Sequence, residues 1–201
     1  MIPKGAVAAV AKQYEFKPDK PRSGFFSKLF LTPTQRRSLL KWTLYALVLV
    51  ALSLVQDVFF CRFRLYGGTT ELVPCAIFLI CVLEGAEKGS VFALTASLLY
   101  LFSGSAAGYY SVVFITVLAV VVTAFRQGYL QQGFIAALLC VAAAMLVYEL
   151  LVYSITLFLG QVRPYAITGF LITAGLSLPA VPILYPLCLV ISGSKKWESE
   201  M

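Results

Sequence analysis

The chain has 201 residues, 60% of them hydrophobic and only 12% charged, with a mean hydropathy of +0.88. A water-soluble domain is about half apolar and about a quarter charged. The composition therefore excludes a single water-facing core and requires lipid as part of the solvent. The formal net charge of +7 is concentrated rather than spread: Lys4, Lys12, Lys17, Lys20, Arg22, Lys28, Arg36, Arg37 and Lys41, set against Glu15 and Asp19, carry the whole surplus. A basic tail beside a membrane marks the cytoplasmic side. The tail contains no recognisable nucleic-acid module, so no nucleic-acid partner is expected. There is no histidine, and Cys61, Cys75, Cys81, Cys140 and Cys188 form no C-x-x-C pair. That argues against a structural zinc, a His-based catalytic site or any other cofactor; in apolar runs, where all but one of these thiols lie, cysteine behaves as a small hydrophobe.

Residues 1–38, with Pro3, Pro18, Pro21 and Pro33, read as a basic cytoplasmic tail. Within it Phe25, Phe26, Leu29 and Phe30 beside Lys28 have the spacing either of a short interfacial helix or of aromatics in an irregular segment. Thr32-Pro33-Thr34-Gln35 fits a capping box with proline at the first helical position. The apolar run that follows lies too far from the start for a signal peptide and lacks a small-residue cleavage site, so it is expected to stay in the mature protein. It predicts a first span over 39–60, long enough for a hydrocarbon core of about 30 Å.

A polar loop with Arg62, Arg64, Gly67 and Gly68 comes next. The runs at 71–83 and 89–102 are short for that thickness. Two true spans with extended ends are expected, and a re-entrant pair is the alternative. Their connector, 84–89, is the most charged stretch after the tail. A fourth span is expected over 111–125, then a polar break over 126–132, and a fifth span over 134–159. The sixth, over 166–192, contains Pro179, Pro182 and Pro186, which imply kinks. A short cytoplasmic tail occupies 194–201. The predicted fold is thus an all-α bundle of about six transmembrane helices over 39–193. The basic tails, Lys88, Arg126, Lys195 and Lys196 lie on one side, and only Arg62, Arg64 and Arg163 on the other. That bias puts both termini in the cytoplasm, as expected of a multi-pass membrane protein.

Glu149 is the most informative polar residue. It sits mid-helix in Met145-Leu146-Val147-Tyr148-Glu149-Leu150-Leu151-Val152-Tyr153, where a carboxylate is costly and must face the bundle interior, paired, hydrogen-bonded or protonated. Tyr153, one turn away on the same face, is its expected local partner. Asp57 lies near the end of the first span and is expected either solvated or paired with Arg62 or Arg64. Glu71 reads as an interface residue, and Glu84 and Glu87 as a solvated edge. A carboxylate pair of Asp57 with Glu149 is the strongest catalytic alternative, but the two lie at different predicted depths. No serine, threonine or tyrosine stands in a G-x-S-x-G or phosphate-loop context, so an enzyme is not expected.

From the first span onward the chain resembles the rod shape-determining protein MreD family. The resemblance covers about 40–193 and rests on L-S-L-V-Q-D-V-F-F at 52–60, E-L-V-P-C-A-I-F-L-I at 71–80, V-F-A-L-T-A-S-L-L-Y-L-F-S-G at 91–104 and M-L-V-Y-E-L-L-V-Y at 145–153. The family's third helix is usually glycine-rich and ends in an aspartate. Here Ala93 and Ala96 stand among the glycine positions, and Tyr100 stands about where the aspartate is usual. The resemblance implies a non-enzymatic subunit of the cell-elongation machinery. Its partners would be an MreC-like bitopic protein and, through it, an MreB-like filament and the peptidoglycan synthases, besides membrane lipids. The alternative is the substrate-binding subunit of an energy-coupling-factor vitamin transporter, similar in size and helix number, with Tyr109, Tyr110 and Tyr165 available to line a cavity. Against it, Ala46 and Ala51 do not make the A-x-x-x-A contact such subunits offer. A small proton-coupled transporter would rest on Glu149 alone.

Overall fold

The computed structural model describes residues 33–60, 68–129 and 133–192. The chain divides into two units, Met1–Ser38 and Leu39–Met201, and the helix packing is that of the second. The aromatic run at 25–30, Thr32, Cys61, Arg62, Arg64, Lys195 and Lys196 lie outside the described residues. The helices in order are α1 Pro33–Val58, α2 Leu72–Glu84, α3 Ala86–Phe102, α4 Tyr110–Tyr129, α5 Phe134–Phe158, α6 Ile167–Ser177 and α7 Ala180–Ser192, with a 3-10 turn at Pro164–Ala166 before α6. No strand occurs among the described residues.

Among the described residues three helices are long and apolar enough to cross a membrane: Ser38–Val58 within α1, Tyr110–Gly128 within α4, and Phe134–Phe158. The stretches Pro164–Ser177 and Ala180–Ser192 make a fourth if they form one span, bent by 42°. The expected proline kink is a break: Pro179 has no N–H to continue α6, and Pro186 sits inside α7, where it removes one helical hydrogen bond. The polar break expected from residue 126 begins later, because α4 continues through Arg126 to Tyr129.

Helix α2 has 13 residues, about 20 Å at ~1.5 Å per residue, which is short for a core of about 30 Å. Its surroundings make up for its length. Every residue from Leu72 to Val82 is buried, and α3, α4, α5 and α7 all pack against it. Two glycines let the chain turn straight from α2 into α3. Gly85 holds φ +93°, and a Cβ there would meet Gln127 Nε2 at 2.8 Å. At Gly89 a Cβ would lie 3.0 Å from Cys81 Cα, so the two backbones touch. The buried face of α3 continues through Ala93, Ala96 and Tyr100. Small residues at this spacing allow close helix approach in lipid, where the hydrophobic effect supplies no attraction between helices. Helix α4 buries Ser111, Ile115, Ala119 and Thr123 at four-residue intervals, and α5 buries Ala137, Val141, Ala144, Tyr148 and Val152.

Candidate functional site

The stretch before α2 is what positions the site. From Gly68 to Glu71 the chain is not helical, and it runs alongside α6. The Thr69 N–H donates to Thr173 Oγ1 at 3.1 Å, and the Glu71 N–H donates to Ser177 Oγ at 2.9 Å. Ser177 is the last residue of α6, so Glu71 lies beside the break of the bent pair rather than at a bundle surface. Non-helical backbone is tolerated at such a place only where protein side chains satisfy it. The α2 N-terminus is met from a distance in the same way. Glu71 makes no side-chain cap; instead Gln56 Oε1 of α1 accepts from the Leu72 and Val73 N–H groups at 2.8 and 3.1 Å.

With its cap supplied by Gln56, the Glu71 side chain turns inward, against the expectation of an interface residue. Its Oε2 is sealed from the surface, and the Tyr100 hydroxyl stands against its carboxylate. That hydroxyl also faces Gln56 and donates to the Ser105 carbonyl at 3.2 Å. Glu149 comes into the same cluster from α5, 2% exposed and within electrostatic reach of Glu71. Tyr148, fully buried and edge-on to Phe78 with ring centroids 6.3 Å apart, brings its hydroxyl beside Ser111 of α4. Buried polar groups are rarely left without partners, yet Glu71 Oε2, Ser111 Oγ, Tyr148 OH and Glu149 Oε1 have none.

The other polar residues singled out in the sequence go elsewhere. Tyr153 is not the partner of Glu149: its hydroxyl donates to the Pro164 carbonyl at 2.9 Å and its ring packs on Phe170. That bond closes the loop between α5 and α6. Asp57 accepts a hydrogen bond from Ser105, while Arg62 and Arg64 lie outside the described residues. Glu84 is not a solvated edge. Its side chain is 4% exposed, 2.6 Å from Lys41 Nζ, and accepts from the Tyr45 hydroxyl at 2.7 Å. A carboxylate that ends a buried helix needs such partners. Glu87 is exposed, as expected. At the same end the Arg126 guanidinium donates to the Val82 carbonyl, a cation at the helix C-terminus where the macrodipole favours it.

Sequence reading found Glu149 but missed Glu71, Gln56, Tyr100, Tyr148 and Ser111. The signals available were Gln56 within an apolar run and Tyr100 standing where the resembled family has an acid. Among the described residues no group of three or more His, Cys, Asp or Glu could hold a metal ion, and Cys75, Cys81, Cys140 and Cys188 are buried free thiols. No protein-family model matches the chain, and neither a curated protein nor a solved structure does.

Proposed function

We propose that the chain is a non-enzymatic, six-span subunit of the bacterial cell-elongation machinery in the plasma membrane, with both termini cytoplasmic. In this reading it holds the transmembrane helix of an MreC-like bitopic partner, and through it an MreB-like filament and the peptidoglycan synthases. The six-span arrangement draws support from the contacts of α1. Lys41 near its start meets Glu84 at the end of α2, and Gln56 near its end meets the start of α2. Trp42 packs on Phe92 of α3, and Asp57 meets Ser105 just past the end of α3. So α2 and α3 traverse the same length of bundle as the middle of α1, in opposite directions.

The observation that carries the functional reading is the groove between α1 and α3. Its larger part, about 600 Å³, is lined by Trp42, Ala46, Leu49, Val91, Thr95 and Leu99, with Glu87 and Lys88 at one end. A second part of about 440 Å³ continues past Leu49, Ala96 and Leu99 to Asp57 and Ser103. The groove is apolar in the middle and polar at both ends, and Ala46, Thr95 and Ala96 leave room along it, which suits a single membrane-spanning helix. Depleting the protein should make a rod-shaped cell round or widen, and a Thr95→Trp variant that fills the groove should fail to restore width at normal protein level. Normal width together with poor growth relieved by vitamins would overturn this reading in favour of the transporter subunit.

A further inference from the structure

The polar cluster between α2, α3, α4 and α5 carries an inference that does not rest on the cell-shape reading. Four of its oxygens, Glu71 Oε2, Ser111 Oγ, Tyr148 OH and Glu149 Oε1, are buried and without a hydrogen-bond partner. Ser111 and Tyr148 are 0% exposed and Glu149 is 2% exposed, and Glu71, a half-buried residue, keeps its Oε2 atom sealed from the surface. The set is oxygen only, with two carboxyl groups, the chemistry that hard cations select. The titratable groups facing the cluster are Glu71, Glu149, Tyr100, Tyr148 and Tyr110, and among the described residues no lysine or arginine acts on it. Gln56 and Ser111 are its neutral neighbours. Two carboxylates enclosed together repel, and either a proton held by one of them or a cation between them relieves the repulsion.

Charge and donor number limit what fits. A calcium ion takes about six to eight oxygens, and magnesium demands an octahedral shell and gives up its water reluctantly; four free oxygens closed off from water fall short of either. The crevice of about 440 Å³ that runs past Asp57 and Ser103 is lined in part by Tyr100, a buried ring whose hydroxyl stands against Glu71, so one side chain separates the crevice from the cluster. We propose that Glu71, Glu149, Tyr148 and Ser111 form a binding site for one monovalent cation, sodium or a proton, reached past Asp57 and Tyr100. The ion ties the start of α2 to α4 and α5 where, among the described residues, these buried polar groups lack partners.

Binding to the folded state alone raises stability by mass action, which gives the test. The purified full-length chain in detergent is unfolded thermally, with exposure of the buried thiols Cys75, Cys81, Cys140 and Cys188 followed by a thiol-reactive dye. In one series sodium replaces choline at constant ionic strength. In the other, sodium-free buffer is taken from mildly alkaline to mildly acidic. A saturable rise of the midpoint with sodium identifies sodium as the ligand; a rise with acid and none with sodium identifies the proton. The double variant Glu71→Gln, Glu149→Gln should lose the response in both series. Tyr148→Phe keeps the ring and removes one donor, and should shift half-saturation by about tenfold. A wild-type midpoint flat in both series, or a double variant that responds as the wild type does, overturns the site. Should the double variant not fold, Tyr148→Phe decides, and unchanged half-saturation overturns the proposal.

Discussion

Helices α1 and α2 meet through side chains at the two ends of α2 and are stabilised by different solvents. Along α1 the side chains of Leu39, Leu40, Leu47, Val50, Leu54 and Val58 are exposed, and only Tyr45, Leu49 and Gln56 are buried among its described positions. It meets the rest through a few long groups: Trp42 and Tyr45 on Phe92, Lys41 on Glu84, Gln56 on the α2 N-terminus. Helix α2 has half the length and no exposed residue. A helix of 26 residues can satisfy its backbone and cover the hydrocarbon thickness by itself. One of 13 residues cannot, and it stands only because side chains of other helices finish both its ends.

The largest effect should come from truncating equivalent apolar bulk in the two helices. Phe78→Ala empties a fully buried site in α2 and should cost about 3–5 kcal/mol. Leu47→Ala removes a side chain that is 62% exposed on α1 and should cost about 0.5 kcal/mol or less. Unfolding of both variants by denaturing detergent measures the difference, and equal costs would remove the distinction between the helices. Next comes Gln56→Leu. It keeps the size of an α1 side chain but leaves the Leu72 and Val73 N–H groups without an acceptor, at a cost of about 1–3 kcal/mol. Faster amide exchange confined to the start of α2 would locate the damage.

Arg126→Met tests the other end of α2. The Val82 carbonyl loses its cationic donor, and stability should fall by up to about 2 kcal/mol, with Arg126→Lys recovering part of it. A Lys variant as damaged as Met would mean the guanidinium fork, rather than its charge, is what α2 needs. The smallest change is expected for Lys41→Met. Lys41 is 24% exposed, and the Tyr45 hydroxyl still donates to Glu84 without it. A loss of about 1 kcal/mol or less is expected, shrinking further as salt is added. A loss that salt does not touch would show that the pair is sealed from solvent.

How far the site could be read in advance differs residue by residue. Glu149 announced itself because a carboxylate amid fifteen-odd apolar neighbours has only the bundle interior to face, at about the midpoint of a helix that must cross lipid. Glu71 did not. It follows Thr69 and Thr70 in a polar stretch, where a surface position is the ordinary outcome. Its inward turn depends on Gln56 taking over the cap and on Ser177, 106 residues away, holding its backbone. Glu84 misled for the same reason: beside Glu87 and Lys88 it looks solvated, and only Tyr45 and Lys41, brought from another helix, bury it.

By itself the sequence determined that lipid is part of this protein's solvent, that its elements are helices, and that an acid lies inside α5. Those properties are local: they follow from apolar run length and from the cost of taking a charge or a backbone group out of water. The tertiary structure decided that α2 is a short enclosed rod, that the sixth apolar run breaks at Pro179, and that Glu71 rather than Tyr153 shares the cluster with Glu149. These depend on which helix ends come to lie side by side. In lipid, where apolar faces gain nothing by burial against one another, that choice falls to small-residue contacts and hydrogen bonds between positions far apart in the chain.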